Sequence, residues 1–143
     1  MMIDEIAKDL ERLKTAPVET FVNAMLIAAV QKRATHIRAI ADATAGSVQF
    51  FIDGDWEHEV STPQELHTPI VRRLGVMIGV LPPRKGDTKF GSFELETKRG
   101  PLYFLVAIDR GDELSALVEI VDRTTFDSGR QPQPPSPHPY RHR

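Results

Sequence analysis

Along the first fourteen positions Ile3, Ile6, Leu10 and Leu13 recur at helical spacing, with charged residues between them. The pattern predicts a short amphipathic helix over 2–14. Thr15-Ala16-Pro17 interrupts it, since a proline suits a first turn but not a helix interior. A denser apolar set follows: Val18, Phe21, Val22, Met25, Leu26, Ala29 and Val30. It predicts the main core helix, running to about Lys32.

From His36 the period changes to two. A short strand is expected over 36–41, and Val48, Phe50 and Ile52 share one face of the next. Asp53-Gly54 predicts a hairpin turn with positive φ. Trp56, His58 and Val60 alternate on the returning strand, which sends Glu57 and Glu59 to solvent. Thr62-Pro63-Gln64-Glu65 fits a capping box. Because a proline inside a helix costs about 3 kcal/mol, the pattern predicts a turn at 63–67 and a helix over 69–79, with Ile70, Leu74, Met77 and Ile78 inward. A polar loop follows, and then three strands near 90–97, 101–109 and 114–122. The middle one is apolar on both faces: Leu102, Phe104, Val106 and Ile108 on one, Tyr103, Leu105 and Ala107 on the other. Such a strand is covered on both sides, by its own chain or by a partner.

The expected order is α-α-β-β-β-α-β-β-β, an α+β fold with an antiparallel sheet of five or six strands and helices on one face. Three segments are expected: an N-terminal helix over 1–16, a single α+β domain over 17–123, and a disordered proline-rich tail over 124–143. Five prolines between 131 and 140 deprive that tail of ladder and helix hydrogen bonds.

Charge narrows the class. The 143 residues carry a net charge of −2, and the last twenty hold three arginines and one aspartate, which leaves −4 on residues 1–123. A weakly acidic body argues against nucleic-acid and anionic-membrane partners, which need a surplus of Lys and Arg. No run approaches the ~18 apolar residues of a membrane helix, and the acidic N-terminus does not read as a signal peptide. With no cysteine, the expected compartment is the cytoplasm.

Three stretches carry a family likeness. Residues 17–37 read PVETFVNAMLIAAVQKRATHI, residues 48–54 read VQFFIDG and residues 73–77 read RLGVM. In order and spacing they resemble the small α+β domain, PAS-like in shape, that precedes the motor in the type II secretion and type IV pilus assembly ATPases. There a helix leads into Ser-Asp-Ile-His-Ile-Glu, a strand carries Arg-Tyr-Arg-x-Asp-Gly, and a later helix carries Arg-Leu-Lys-Val-Met. The likeness spans roughly residues 17–121. Here the first run is Thr35-His36-Ile37-Arg38-Ala39-Ile40, the two arginines are Gln49 and Phe51, and the helix lysine is Gly75. The family's arginines help reach nucleotide phosphate. Gln offers only neutral hydrogen bonds in their place and Phe offers none. No phosphate-loop motif Gly-x-x-x-x-Gly-Lys-Ser/Thr is present. The nearest string, Gly86-Asp87-Thr88-Lys89-Phe90-Gly91-Ser92, has Ser92 where the lysine belongs. The resemblance therefore implies the scaffold without the ATPase.

Other chemistry is thinner. His36, His58, His67, His138 and His142 show no metal-ligand spacing on one helix. Asp53 with Asp55 is explained by turn geometry, and Ser47, Ser61, Ser92 and Ser115 lack a nucleophile elbow. No catalytic, metal or cofactor site is expected. The basic pairs Arg72-Arg73, Arg84-Lys85 and Lys98-Arg99 are the candidate anion or partner patch. Pro132 and Pro135 form a P-x-x-P that suits aromatic grooves, beside the plainer reading of a solvated terminus. The expected function is a non-catalytic protein-interaction or regulatory domain, partnered by a secretion or pilus motor subunit or by another copy of itself. The alternative is a small-ligand or nucleotide sensor with Trp56, Phe50, Phe104 and Met77 as pocket walls.

Overall fold

The computed structural model describes residues 10–136. Of the N-terminal helix expected over 2–14, residues 1–9 lie outside that span. The rest is a helical turn with Leu10 fully buried, continued by a 3-10 turn at Leu13–Thr15. Helix α1 is Val18–Gln31 and enters through Pro17. Strands β1 (His36–Ala41), β2 (Ala45–Ile52) and β3 (Asp55–Pro63) form one antiparallel meander. Helix α2 is Gln64–Met77, and β4 (Thr88–Thr97), β5 (Gly100–Arg110) and β6 (Leu114–Val121) form a second meander. The meanders join through antiparallel β1 and β6 into one six-stranded sheet of order β3-β2-β1-β6-β5-β4. The fold is α+β, as the periodicity predicts.

Both long helices lie on one face of the sheet, here the inner face. Phe21, Met25 and Leu26 of α1 and Ile70, Val71 and Leu74 of α2 share one buried cluster with Ile37, Phe50, Val60, Phe104, Val106, Ile108 and Val118. A Schellman motif closes each helix. The Ala34 N–H reaches the Ala29 carbonyl and the Arg33 N–H reaches Val30. In α2, Val80 reaches Gly75 and Gly79 reaches Val76 in the same pattern. The left-handed residue is Gly79 in one case, and in the other Arg33, at φ 62°.

Three expectations need correction. First, α2 starts at Gln64 and contains Pro69, rather than starting there. Pro69 is the sixth helical residue, so only the Glu65 carbonyl near the helix start loses its donor. Tertiary bonds hold the first turn in return: buried His67 Nε2 lies 2.6 Å from the Leu114 carbonyl oxygen, and Gln64 Nε2 donates to Glu113 at 2.9 Å. Second, the capping box does not form. Pro63 occupies the N-cap without a side-chain bond, and Thr62 Oγ1 is buried against Gly46 with no partner. Third, the strict alternation of β3 breaks. Val48 pairs Val60 while Gln49 pairs His58, so Glu59 is an extra, bulged residue. Val60 turns into the core, Trp56 and His58 stay on the other face, and the Glu59 carboxylate is nearly buried against the Lys32 ammonium.

Beyond β6, where a disordered tail is expected from 124, Asp122 caps a short helix α3 (Arg123–Asp127) through the Thr125 N–H at 2.8 Å. Residues 128–136 then run back over the sheet. Residues 137–143, with His138 and His142, lie outside the described span. Among the described residues no helix is long and apolar enough to cross a membrane.

Candidate functional site

The outer face of the sheet, opposite α1 and α2, holds the polar chemistry. Cross-strand pairing places its residues. His36 of β1 lies opposite Phe51 of β2 on one side and Glu119 of β6 on the other, and Arg38 lies opposite Gln49 and Leu117. The apolar second face of β5 adds Leu105, 1% exposed, beside Glu119. Phe51 and Leu105 are buried yet stand outside the inner-face cluster. Trp56 and His36 pack against the Phe51 ring, and α3 of the C-terminal segment packs on β5. Phe126 of α3 packs its ring against Tyr103, 4.9 Å between centroids. Gly129 to Pro132 line an open cleft with Phe90 and Ser92 of β4, and Pro135 and Ser136 line another with Phe51 and the Asp53-Gly54 turn.

That segment is fixed by a clamp. The Arg130 guanidinium donates two parallel bonds to Glu119, Nη1 to Oε1 at 2.9 Å and Nη2 to Oε2 at 2.7 Å. Glu119 Oε1 also accepts the Gln133 backbone N–H at 3.0 Å. The Gln133 carbonyl oxygen lies 2.8 Å from His36 Nε2, and His36 Nδ1 lies 2.9 Å from the Thr35 hydroxyl. A neutral imidazole with its proton on Nε2 satisfies all of these: Nε2–H donates to Gln133 and the Thr35 hydroxyl donates to Nδ1. Burial holds the His36 pKa below its ordinary value, against the upward pull of the Gln133 bond and the Glu119 charge. At Glu119 burial pushes upward. The Arg130 bonds, the Gln133 N–H and the charges of Arg130 and His36 outweigh it and hold the carboxyl below its usual range.

A second polar run crosses β1, β2 and β3. Arg38 stacks 4.1 Å above the Trp56 ring and donates from Nε to Gln49 Oε1 at 2.7 Å. Gln49 donates to the Ser47 hydroxyl, which lies 3.0 Å from His58 Nδ1, while Ser61 Oγ lies 3.2 Å from His58 Nε2. Trp56 packs edge-on against Phe51 at 5.2 Å. Phe51 and Gln49 are thus next to His36 and Arg38, and Gln49 is tied into this run.

The expected basic patch is not one surface. Exposed Arg72 and half-buried Arg73 follow each other on α2, Arg72 beside Pro82. Arg84 and Lys85 stand on the loop ahead of β4, with Lys85 3.6 Å from Asp112. Lys98 and Arg99 cap the β4–β5 turn at the far end of a ten-residue strand, roughly 30 Å away. There they flank an open cleft of about 270 Å³ with Ile27, Val30 and Leu102. The expected pocket walls do not converge either. Phe50 and Phe104 are fully buried in the inner core, whereas Trp56 lies on the outer face. The gap lined by Val71, Gly75 and Ile108 holds about 10 Å³, room for about one water.

Glu119, Arg130 and Gln133 escape the sequence reading. Glu119 reads as one polar outward position in an alternating strand, and the other two sit in a segment whose prolines argue for disorder. The outward face of β5 was the available signal that something must cover that side. No protein-family model matches the chain, and no curated protein matches it.

Proposed function

We propose that the chain is a non-catalytic interaction domain that docks on a protein partner through the outer face of its first meander, and that the partner is the motor subunit of a type II secretion or type IV pilus assembly machine, with the cytoplasm as its compartment. The observation that carries this reading is the Arg38–Trp56 stack with Gln49 beside it. Gln49 and the neighbouring Phe51 are the positions that the resemblance matches to the arginines that help reach nucleotide held by the motor. A half-buried Trp with a stacked guanidinium is the chemistry that anchors protein interfaces. The polar groups around it are bonded to one another, which supports a binding surface over an acid–base site.

The test is binding of the full-length chain to the purified assembly ATPase of the same genome. A Kd of about 10 µM or tighter is expected, the range of a specific encounter. Trp56→Ala and Arg38→Glu should each weaken it at least about tenfold. No binding at about 100 µM ATPase overturns the reading. Saturable ATP binding that is lost on substituting Gln49 would replace it with a nucleotide sensor.

A further inference from the structure

The clamp on the C-terminal segment has the form of a peptide-recognition site. His36 and Glu119 are a direct cross-strand pair on β1 and β6. Between them they hold both backbone groups of one residue, Gln133 N–H on Glu119 and Gln133 C=O on His36. The same carboxylate takes the guanidinium of the residue three positions earlier in a bidentate pair. This geometry selects sequence. Proline has no N–H, so within Pro132-Gln133-Pro134-Pro135 only Gln133 can donate to Glu119, and the flanking prolines fix the register. Proline also lowers the entropy lost on docking an extended segment. The required ligand is Arg-x-Pro-x-Pro-Pro, with a non-proline residue at the clamp and its last proline lining the cleft that Phe51 also lines. Nothing in the recognition depends on the ligand being tethered. A short tether supplies an effective concentration of about millimolar, so the segment stays docked in cis with weak intrinsic affinity, and a better ligand can replace it.

We propose that the His36–Glu119 pair is a binding site for an extended proline-rich segment of another protein, of the form Arg-x-Pro-x-Pro-Pro, and that residues 128–136 occupy this site as a competing internal ligand. The site stands independently of the motor partner proposed above, because it is defined by the segment seated on it.

The experiment uses the full-length chain with its internal ligand disabled by Arg130→Ala and Gln133→Pro. The probe is a fluorescein-labelled peptide of residues 128–136, followed by anisotropy. Saturable binding is expected to the disabled chain, and at least about tenfold weaker binding to the wild-type chain, whose own segment competes. Adding Glu119→Gln to the disabled chain should weaken binding at least about tenfold, by removing the charge-assisted fork. A probe with proline at the clamp position should not bind. Equal binding to the wild-type and disabled chains, or equal binding of the two probes, overturns the proposal. If circular dichroism shows the disabled chain unfolded, the wild-type chain is titrated with millimolar probe by NMR. Shifts centred on His36 and Glu119 uphold the site, and their absence rejects it. Either result leaves ATPase binding through Trp56 to be judged separately.

Discussion

At single positions, local conformational rules and tertiary space decide different residues. Arg33 adopts φ 62° to close α1, a conformation that costs an L-residue about 1 kcal/mol or more and glycine very little. The same cap on α2 uses Gly79. Arg33→Gly should therefore raise stability by about 0.5–1 kcal/mol in urea unfolding, after the extra freedom glycine gives the unfolded chain. An unchanged or lower midpoint would mean that the Arg33 side chain contributes more than its backbone costs. Gly46 is the opposite case. A Cβ there would strike Thr62 Oγ1 and come within 2.9 Å of His67 Cβ, both held between β2 and α2. Gly46→Ala should destabilise by about 1–3 kcal/mol, read as a lower urea midpoint at constant slope. The Asp53-Gly54 turn was legible from residue type alone, and both residues have positive φ, 52° and 86°. The tight space at Gly46 was not legible, because His67 arrives from another element.

At the scale of elements, the sequence states type and order and loses the interruptions. All six strands and both long helices follow from periodicity, because one buried face repeats every 2 or 3.6 residues. The β3 bulge escaped because Trp56, His58 and Val60 keep a perfect two-residue pattern in sequence, while the ladder takes up the extra Glu59. The start of α2 escaped because proline propensity argues for Pro69 as its first turn, while His67 and Gln64 hold an earlier one through β6 and the β5–β6 turn. Tertiary anchoring thus overrides a local preference of a few kcal/mol. Pro69→Ala checks this account. Alanine restores the donor to the Glu65 carbonyl and removes the ring clash in the preceding turn, so stability should rise by about 1–3 kcal/mol, read as a higher urea midpoint. A fall would show that the helix needs the bend proline supplies. His67→Ala should cost about 2–4 kcal/mol, since it strands the Leu114 carbonyl and opens a gap beside Gly46.

Over the whole molecule the sheet has a helical layer on one side and its own C-terminal segment on part of the other. The two-faced apolar strand 101–109 signalled a second cover, and proline content concealed that residues 123–136 provide it. This replaces the expectation of a disordered tail from 124, and cutting the chain after Asp122 should therefore cost stability. Loss of the segment takes the Phe126 ring from Tyr103, both Arg130 bonds and the Gln133 N–H from Glu119, and the Gln133 carbonyl from His36. The clamp also makes the cover sensitive to acid. Both His36 and Glu119 have folded-state pKa values below their ordinary 6.5 and 4.5. A depressed pKa means that the folded form holds its proton less tightly than the unfolded one. The stability is therefore whole above the ordinary value and is lost as pH falls through the folded one. Loss starts below about 6.5 for His36 and below about 4.5 for Glu119. Arg130 stays charged throughout and faces both groups; Arg33 and Asp53 line the same cleft. Protonated Glu119 keeps neither the bidentate charge pair nor a full acceptor for the Gln133 N–H. Amide exchange at Gln133 reads this directly. Its protection, corrected for the intrinsic rate, should begin to fall below pH 6.5 and fall more steeply below 4.5, while the amides of β5 keep theirs. Glu119→Gln should remove the steeper stage and leave the first. Protection at Gln133 that holds level from pH 7 to 4 would show that the segment is secured by packing, such as Phe126 against Tyr103, and not by the clamp.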